Sequence, residues 1–351
     1  MSRKLSNAFR WILWPLSFLY GLVTYVRNYL YNKGLLNIYQ SDIYTINIGN
    51  LTIGGTGKTP HIEYLQQLLA KQKKITVLSR GYGRKTKGYR EVNHASLPEE
   101  VGDEPLQFYK KFGHQSPVFV CEKRVEGIQR IEKEQTHAQV VLLDDAYQHR
   151  AIKPHLNLLL TDIGRLFYRD HVLPTGLLRE FRDGAKRADA VIVTKCSMAL
   201  SDAEKKEIQE NIRRFTLPAT PIFFSGFTYA TPIAYFPYLP VLSEKQSVYL
   251  VSGIAQPALF EEAAAAYYTL VGYSRLDDHH LFKEEEVRKF TEISRRYPIL
   301  TTEKDWVKLL PLLQKMGLQQ KNFYYWPIRV TFDSPYFDQF ILSEVMKPSR
   351  V

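Results

Sequence analysis

Beyond Asp42 the chain alternates short aliphatic and β-branched runs with longer stretches whose apolar residues recur at helical spacing. Runs of the first kind are Ile43–Ile48, Ile75–Ser79, Val118–Val120, Val140–Leu143, Leu156–Leu160 and Ala190–Val193. Amphipathic stretches separate many of them, the pattern of a mostly parallel sheet flanked by helices. A Tyr/Pro-rich connection then runs from Ser225-Gly226-Phe227 through Pro240. A second alternating set begins at Val248–Val251, continues through Ile299–Thr301 and ends near Tyr324–Phe332. The expected organisation is an α/β core over residues 35–235, a smaller α/β lobe over 236–351, and a separate N-terminal segment, 1–34. No internal repeat or low-complexity tract interrupts it.

The N-terminal segment has a different pattern. Residues 11–26 carry no charge, with Arg10 and Arg27 at their ends and Arg3 and Lys4 further out. On a helical wheel Arg10, Ser17, Gly21, Thr24 and Asn28 share one narrow stripe, and the remaining arc is aliphatic and aromatic. A membrane-spanning helix needs roughly 20 apolar residues, so the run is short for a span. It reads as a helix in a membrane interface, with Trp11, Trp14 and several tyrosines at headgroup level. A helix packed on the protein's own core and a true span are the alternatives. A secretory signal would need a small-residue cleavage site, and none follows.

After the first strand run comes Thr52-Ile53-Gly54-Gly55-Thr56-Gly57-Lys58-Thr59, followed by a helix-spaced stretch from His61 to Leu69. Glycines let successive N–H groups turn toward one anion, a lysine reaches the outer phosphates, and the adjacent hydroxyl can ligate Mg²⁺. The usual phosphate-loop pattern begins with glycine, where this chain has Thr52. Strand, Gly-Lys-Thr and helix in that order nevertheless point to a P-loop NTPase-like core. Residues 79–92 carry five basic residues, three glycines and two tyrosines. They resemble a flexible basic hairpin near 80–92 that acts as a lid over phosphates or an anionic substrate; an ordinary solvated loop is the alternative.

Composition sharpens this picture. The formal net charge is +11 over 351 residues, which favours anionic partners: nucleic acid, an acidic membrane or a phosphorylated substrate. No nucleic-acid-binding motif is present, and the tyrosines are scattered instead of forming a stacking platform. Cys121 and Cys196 lie far apart with no ligand-spaced partner, which argues against a zinc site or a disulfide framework.

Several carboxylates sit where a strand run ends. Asp144 and Asp145 close Val140–Leu143, the position at which phosphate-loop enzymes hold Mg²⁺ directly or through water. Gly102-Asp103-Glu104-Pro105 opens a helical stretch, so Asp103 is either a helix cap or the acceptor of a substrate proton. Asp277-Asp278-His279-His280 concentrates ionisable groups on a short loop. Adjacent histidines chelate one ion poorly, and a histidine paired with a catalytic carboxylate is the better reading. Thr302-Glu303-Lys304-Asp305 follows another strand end. Arg124 and Arg179 can clamp phosphates or belong to solvated surface.

Taken together, these blocks resemble the tetraacyldisaccharide 4′-kinase family of lipid A biosynthesis. The matching elements are Gly49-Asn50-Leu51 through Pro60, Ser79–Gly83, Gly102–Pro105, Leu143–Asp145, Leu177–Glu180, Asp278-His279 and Thr302–Asp305, in the family's order. The resemblance implies transfer of the ATP γ-phosphate to the 4′-hydroxyl of a tetraacyldisaccharide 1-phosphate at the cytoplasmic face of the inner membrane. It implies two α/β lobes joined by a flexible linker, with the substrate in the cleft between them. It makes Asp103 the catalytic base and His279 its partner, with His280 the alternative histidine. Thr52, Ile53, Gly54, Gly55, Thr56, Gly57, Lys58 and Thr59 hold ATP, with Arg124 and Arg179 near the phosphates. Thr59, Asp144, Asp145 and Glu180 surround Mg²⁺. The segment after the second aspartate, Ala146-Tyr147-Gln148-His149, departs from the family's usual Gly-Leu-Gln-His. A membrane-associated P-loop NTPase switch is the main rival; Thr194-Lys195-Cys196-Ser197 is only a fragment of a guanine signature.

Overall fold

The computed structural model describes residues 7–134, 137–197, 199–319 and 321–347, with side chains from residue 13 onward. Arg3 and Lys4, and the side chains of Arg10 and Trp11, therefore lie outside the described part. The chain folds into two compact units. Residues 1–80, 123–226 and 330–351 form the first, and 81–122 with 227–329 the second. The pattern along the chain puts 81–122 in the core and 330–351 in the later lobe, and the structure exchanges the two. Alternation of strands and helices reports layers along the chain, and it carries no sign of a segment that leaves one unit to complete another.

The first unit begins with α1 (Asn7–Asn32), β1 (Tyr44–Asn50), α2 (Lys58–Leu69) and β2 (Ile75–Ser79). The second unit contributes β3 (Arg90–Glu91), α3 (Pro98–Val101), α4 (Asp103–Phe112) and β4 (Val118–Val120). The chain then returns with α5 (Arg124–Glu134), β5 (Val140–Asp144), β6 (Leu156–Asp162), β7 (Ala190–Thr194), α6 (Asp202–Arg213) and β8 (Ile222–Tyr229). The second unit continues with β9 (Ile233–Ala234), β10 (Ser247–Ser252), α7 (Pro257–Tyr267), β11 (Thr269–Arg275), α8 (Glu284–Ser294), β12 (Ile299–Thr302), α9 (Glu303–Lys315) and β13 (Phe323–Trp326). β14 (Ile328–Phe332) and α10 (Tyr336–Met346) end the described chain.

In the first unit the strands run β8-β7-β6-β1-β5-β2, and every pair between neighbours is parallel. β1 lies at the middle, with Ile46 and Ile48 fully buried. Strands buried on both faces read as continuous apolar runs, which is why they were visible in the sequence. After β1 the chain crosses to β2, past the slot later filled by β5, and β6 lies on the opposite side of β1. This change of direction opens the carboxyl edge of the sheet beside β1, where open α/β sheets bind ligands.

The second unit holds a five-stranded sheet, β11-β10-β12-β13-β9, parallel except for β9. Its core joins Val251, Phe282, Phe290, Leu309 and Phe323 to a second cluster around Phe260 and Trp326. The hairpin expected near 80–92 is not formed as two strands paired to one another. Arg90 and Glu91 pair instead with Val120 and Phe119 of β4. Residues 81–89 are folded into turns by Glu122, which accepts from the Gly88 amide at 3.0 Å and from the Arg84 guanidinium. The short apolar alternation that would mark a hairpin is absent, and the half-exposed Glu122 carboxylate, holding the buried Arg84 guanidinium, takes its place.

α1 is oriented opposite to an ordinary surface helix. Its small and polar stripe faces the protein: Ser17 and Thr24 are buried, and Ser17 Oγ donates to Thr175 Oγ1 at 2.9 Å. A Cβ on Gly21 would lie 2.5 Å from the Phe181 ring, so the close approach requires glycine. Trp14, Phe18, Leu19, Leu22, Val23, Tyr25 and Val26 point outward and are exposed. Among the described residues no helix is long and apolar enough to cross a membrane.

Candidate functional site

The loop after β1 is shaped by backbone conformations that glycine allows. Gly54 has φ 110° and Gly57, the cap of α2, has φ 85°, values costly for residues with a Cβ. The Thr56 carbonyl accepts from Thr194 Oγ1 at 2.9 Å. A peptide is planar and trans, so the Gly57 N–H of the same unit points the other way. The Gly55 carbonyl and the Asp162 carboxylate both accept from Lys195, the former at 2.5 Å and the latter at 2.7 Å. Lys195 itself sits at φ 60°, an unusual conformation held only because its surroundings fix it. The loop thus opens its donors at the amino end of α2, where the helix dipole adds to them.

Thr52, at the first-glycine position, is buried and bridges to Leu178. The Ile53 side chain is exposed, and its amide donates to the Leu177 carbonyl at 2.8 Å. Lys58 Nζ donates to Asn50 Oδ1 at 3.3 Å and lies 3.6 Å from Asp145. It is tethered at the mouth of the loop, ahead of the outer-phosphate position.

At the end of β5 the two aspartates separate, as strand alternation requires. Asp144 is buried and accepts from Ser79 Oγ at 2.7 Å. The Arg124 guanidinium, from the start of α5, donates to the Asp144 carbonyl at 2.9 Å. Asp145 has φ 49° and takes Arg179 Nη1 on both oxygens at 3.0 Å. Burial alone would raise its pKa; Lys58, Arg179 and Arg124 outweigh that and hold it below the usual carboxylate range. His149 nearby is pushed down to about 4, first by burial and then by Arg124, Arg80 and Arg27. A neutral histidine amid three guanidinium groups marks this edge as a place for anions.

Glu180 stands differently from its expected role. Its two oxygens accept from Arg187 at 2.8 and 3.0 Å, Asn28 at 2.6 Å and Gln148 at 3.1 Å. A carboxylate so fully engaged ties α1 to the first unit. Among the described residues no three His, Cys, Asp or Glu side chains converge as a metal cluster. Mg²⁺ does not need one: it binds through one or two protein oxygens, phosphate oxygens and water. Thr59, on the first turn of α2, and Asp144, at the end of β5, offer the one hydroxyl and one carboxylate that this donor set needs, whereas Asp145 is engaged by Arg179 and Glu180 by Arg187.

In the second unit Asp103 is the first residue of α4, and Gly102 takes the cap position. Asp103 is not a side-chain cap; its Oδ1 accepts from the next amide, Glu104, at 3.0 Å. Oδ2 lies 2.9 Å from His279 Nδ1, on the loop that follows β11. His279 has φ 61°, and the Tyr82 ring lies 5.2 Å away. Its Nε2 is 3.0 Å from Lys304 Nζ. His280 points to Glu286 at 3.0 Å, so His279 is the histidine that meets Asp103. Burial would raise Asp103, but His279 and Lys304 hold it below the usual range. The same hydrogen bond lifts His279 above its ordinary value despite burial.

The first unit thus gathers Thr52–Thr59, Arg124, Asp144, Asp145 and Arg179 at one sheet edge, and the second gathers Asp103 and His279. Lys195, Asp162 and Gln148 carry no local signal because their contacts are remote in sequence, whereas Asn50 and Arg187 meet Lys58 and Glu180 only 8 and 7 positions away. Lys304 lay within a matched block and received no role.

Comparisons with known proteins point to one family. The family model described as tetraacyldisaccharide-1-P 4′-kinase matches residues 9–346. The chain is 38% identical over 344 residues to the tetraacyldisaccharide 4′-kinase of Flavobacterium psychrophilum, covering 97% of this chain and 98% of that one. It is 40% identical over 324 residues to the corresponding protein of Cytophaga hutchinsonii, covering 91% and 90%. Among solved structures it is similar to the "apo" form of LpxK from Aquifex aeolicus in complex with ATP. That match has a TM-score of 0.74 at 27% identity, over 96% of this chain and 99% of that one.

Proposed function

The chain belongs to the tetraacyldisaccharide-1-P 4′-kinase family, and from that premise we propose how its residues carry the reaction. The protein is an ATP-dependent kinase that phosphorylates the 4′-hydroxyl of a tetraacyldisaccharide 1-phosphate in lipid A biosynthesis. The Gly54–Thr59 loop cradles the ATP phosphates, and Lys58 neutralises charge on the transferring group. Arg124 and Arg179 supply the surrounding positive field. Thr59 and Asp144 would hold Mg²⁺, which when bound neutralises charge on the β- and γ-phosphates. Asp145 anchors Lys58 and Arg179.

The proton of the 4′-hydroxyl goes to His279 Nε2. As the substrate oxygen bonds to the γ-phosphorus, the bond from that phosphorus to the β,γ-bridging oxygen breaks and ADP leaves. Asp103 orients the imidazole through Nδ1 and stabilises the imidazolium that forms. The resemblance gives the accepting role to Asp103 itself. The geometry favours the histidine, because the Asp103 side chain is 7% exposed and that of His279 is 29% exposed. The observation that carries this reading is the 2.9 Å Asp103–His279 pair, since a switch NTPase has no need of a base for an alcohol acceptor.

The outward apolar arc of α1 supports seating on an anionic membrane, at the cytoplasmic face of the inner membrane where ATP and an acylated acceptor meet. Radiolabelled ATP with purified disaccharide 1-phosphate in micelles tests the whole reading. Labelled lipid should form, and ATP turnover should be slow until the acceptor is added. Hydrolysis independent of the acceptor would favour the switch.

A further inference from the structure

Lys304 is the second residue of α9, and its ammonium stands against the one ring nitrogen of His279 that Asp103 does not use. Nζ lies 3.0 Å from Nε2, 3.4 Å from Asp278 Oδ1, 3.6 Å from Glu104 Oε1 and 3.9 Å from Asp103 Oδ2. An ammonium has three donors and no acceptor. At 3.0 Å it can only donate, so Nε2 must carry the lone pair and Nδ1 the hydrogen given to Asp103. The imidazole is thereby fixed as the neutral tautomer a proton acceptor needs, with its accepting site already filled.

Resting on the assignment of His279 as base, we propose that Lys304 is a movable cap on His279 Nε2, which an incoming phosphate oxyanion draws away to free the nitrogen for the acceptor proton. Lys304 is a positioning residue: it acts through His279 and remains an ammonium throughout. Burial would lower its pKa, but Glu104, Asp103 and Asp278 outweigh that and raise it, so the cap stays charged across neutral pH. The three carboxylates hold it loosely, Asp278 through a long hydrogen bond of 3.4 Å and Glu104 and Asp103 at 3.6 and 3.9 Å, so a phosphate can compete. While seated, the cap keeps the base from protonating early. Once withdrawn to a phosphate, the same cation leaves Nε2 beside developing negative charge.

The groups facing His279 are known. Asp103 comes from α4, Lys304 from α9, Asp278 from its own loop and Tyr82 from the 81–89 turns, while Glu104 of α4 faces Lys304 instead. His280 is paired with Glu286. Behind Lys304, the buried Asp305 and Lys308 neutralise one another at 3.2 Å. Lys304 is thus the cation that bears on Nε2 directly.

The test is the titration of His279 in the full-length protein labelled with ¹⁵N-histidine, its signal identified by loss in His279→Asn. In Lys304→Met the midpoint should rise by about one pH unit, the lower end of what a removed like charge at this range produces. The acid limb of kcat/KM should move up with it. Mg·AMP-PNP alone, and the disaccharide 1-phosphate in micelles alone, are then added to wild type. Whichever phosphate draws the cap away raises the wild-type midpoint by more than that of Lys304→Met, where only the anion's own charge acts. Lys304→Arg keeps the cation and should titrate close to wild type. Equal midpoints in wild type and Lys304→Met, or no response of wild type to either phosphate, would overturn the cap. If the midpoints move as expected but the kcat/KM limb does not follow, the cap stands and the assignment of His279 as base fails.

Discussion

In the first unit the phosphate loop is tied down from behind, with Thr194 and Lys195 on its carbonyls and Asn50 and Asp145 on Lys58. In the second, His279, the proposed base, hangs on a short loop, held by one carboxylate on one side and one ammonium on the other. Both sites lie at the carboxyl edge of a parallel sheet, so the fold alone does not explain the difference. The chemistry does. Phosphates are large, symmetric anions that reward fixed donors aimed at them in advance. A general base must change protonation state, and every partner fixed on it would resist that change. A rigid cradle suits the first task and a balance of weak holds suits the second.

That contrast predicts the largest loss where a fixed charge meets the phosphates. Lys58→Ala should lower kcat by about 10³-fold, the range seen when one preorganised transition-state contact is removed. Asp145 keeps Arg179, so the melting temperature should change by no more than about 2 °C. Turnover within tenfold of wild type would break the nucleotide assignment.

The next effect belongs to the balanced site. Asp103→Asn should lower kcat by about 10²-fold, as loss of general-base assistance does. Its pH dependence carries the sign. A base works deprotonated, so kcat/KM rises with pH through the His279 midpoint. Asp103 raises that midpoint, and its removal should shift the acid limb to lower pH. Lys304→Met should shift the same limb upward. Limbs moving in the same direction would contradict the opposed partners read from the geometry.

A smaller effect separates holding from reacting within the first unit. Lys195→Met frees the Gly55 carbonyl but removes nothing that touches the γ-phosphate. KM for ATP should rise roughly tenfold, in line with loss of a charge-assisted hydrogen bond, while kcat changes less. Asp162 would be left buried without its cation, so the protein should also lose stability. Lys195→Met with Asp162→Asn should recover stability and keep the raised KM. A double variant with normal KM would show that Lys195 serves only the ion pair.

These features differ in how far the sequence displayed them. The phosphate loop, the Asp144-Asp145 strand end and the histidine loop are local patterns, and each lies where its neighbours in sequence placed it. The partner of each was not local. Asp103 meets His279 across 176 positions, and an order of conserved-looking blocks could pair them only by resemblance. Glu180 shows the limit more plainly: a motif placed it near the metal, whereas Arg187, Asn28 and Gln148 enclose it. The excursion of 81–122 was hidden for the same reason, since β4 and α4 look like any strand and helix in an alternating series.

α1 offers the smallest effect. The wheel shows an apolar arc and a polar stripe, and leaves open what the stripe meets. The structure turns it inward, because Ser17, Gly21 and Asn28 meet Thr175, Phe181 and Glu180, while the buried Thr24 hydroxyl is satisfied within the helix by the Gly21 carbonyl. Deleting the helix would therefore strip Glu180 of a donor and confuse membrane binding with damage to the first unit. Substitution on the outer arc avoids this. Leu19 and Val23 are 58% and 63% exposed, so Leu19→Glu with Val23→Glu leaves the packing intact. It removes about 3 kcal/mol of apolar burial in an interface at roughly 1.5 kcal/mol per side chain, and sets two negative charges against anionic lipid. Partition onto vesicles of anionic phospholipid should fall at least tenfold, and turnover of substrate embedded in them should fall with it. In detergent micelles with saturating acceptor, kcat should stay within about twofold of wild type, because the arc touches nothing that reacts. Unchanged vesicle binding would show that the outer arc does not meet the bilayer, and equal losses in vesicles and micelles would show that α1 serves the fold alone.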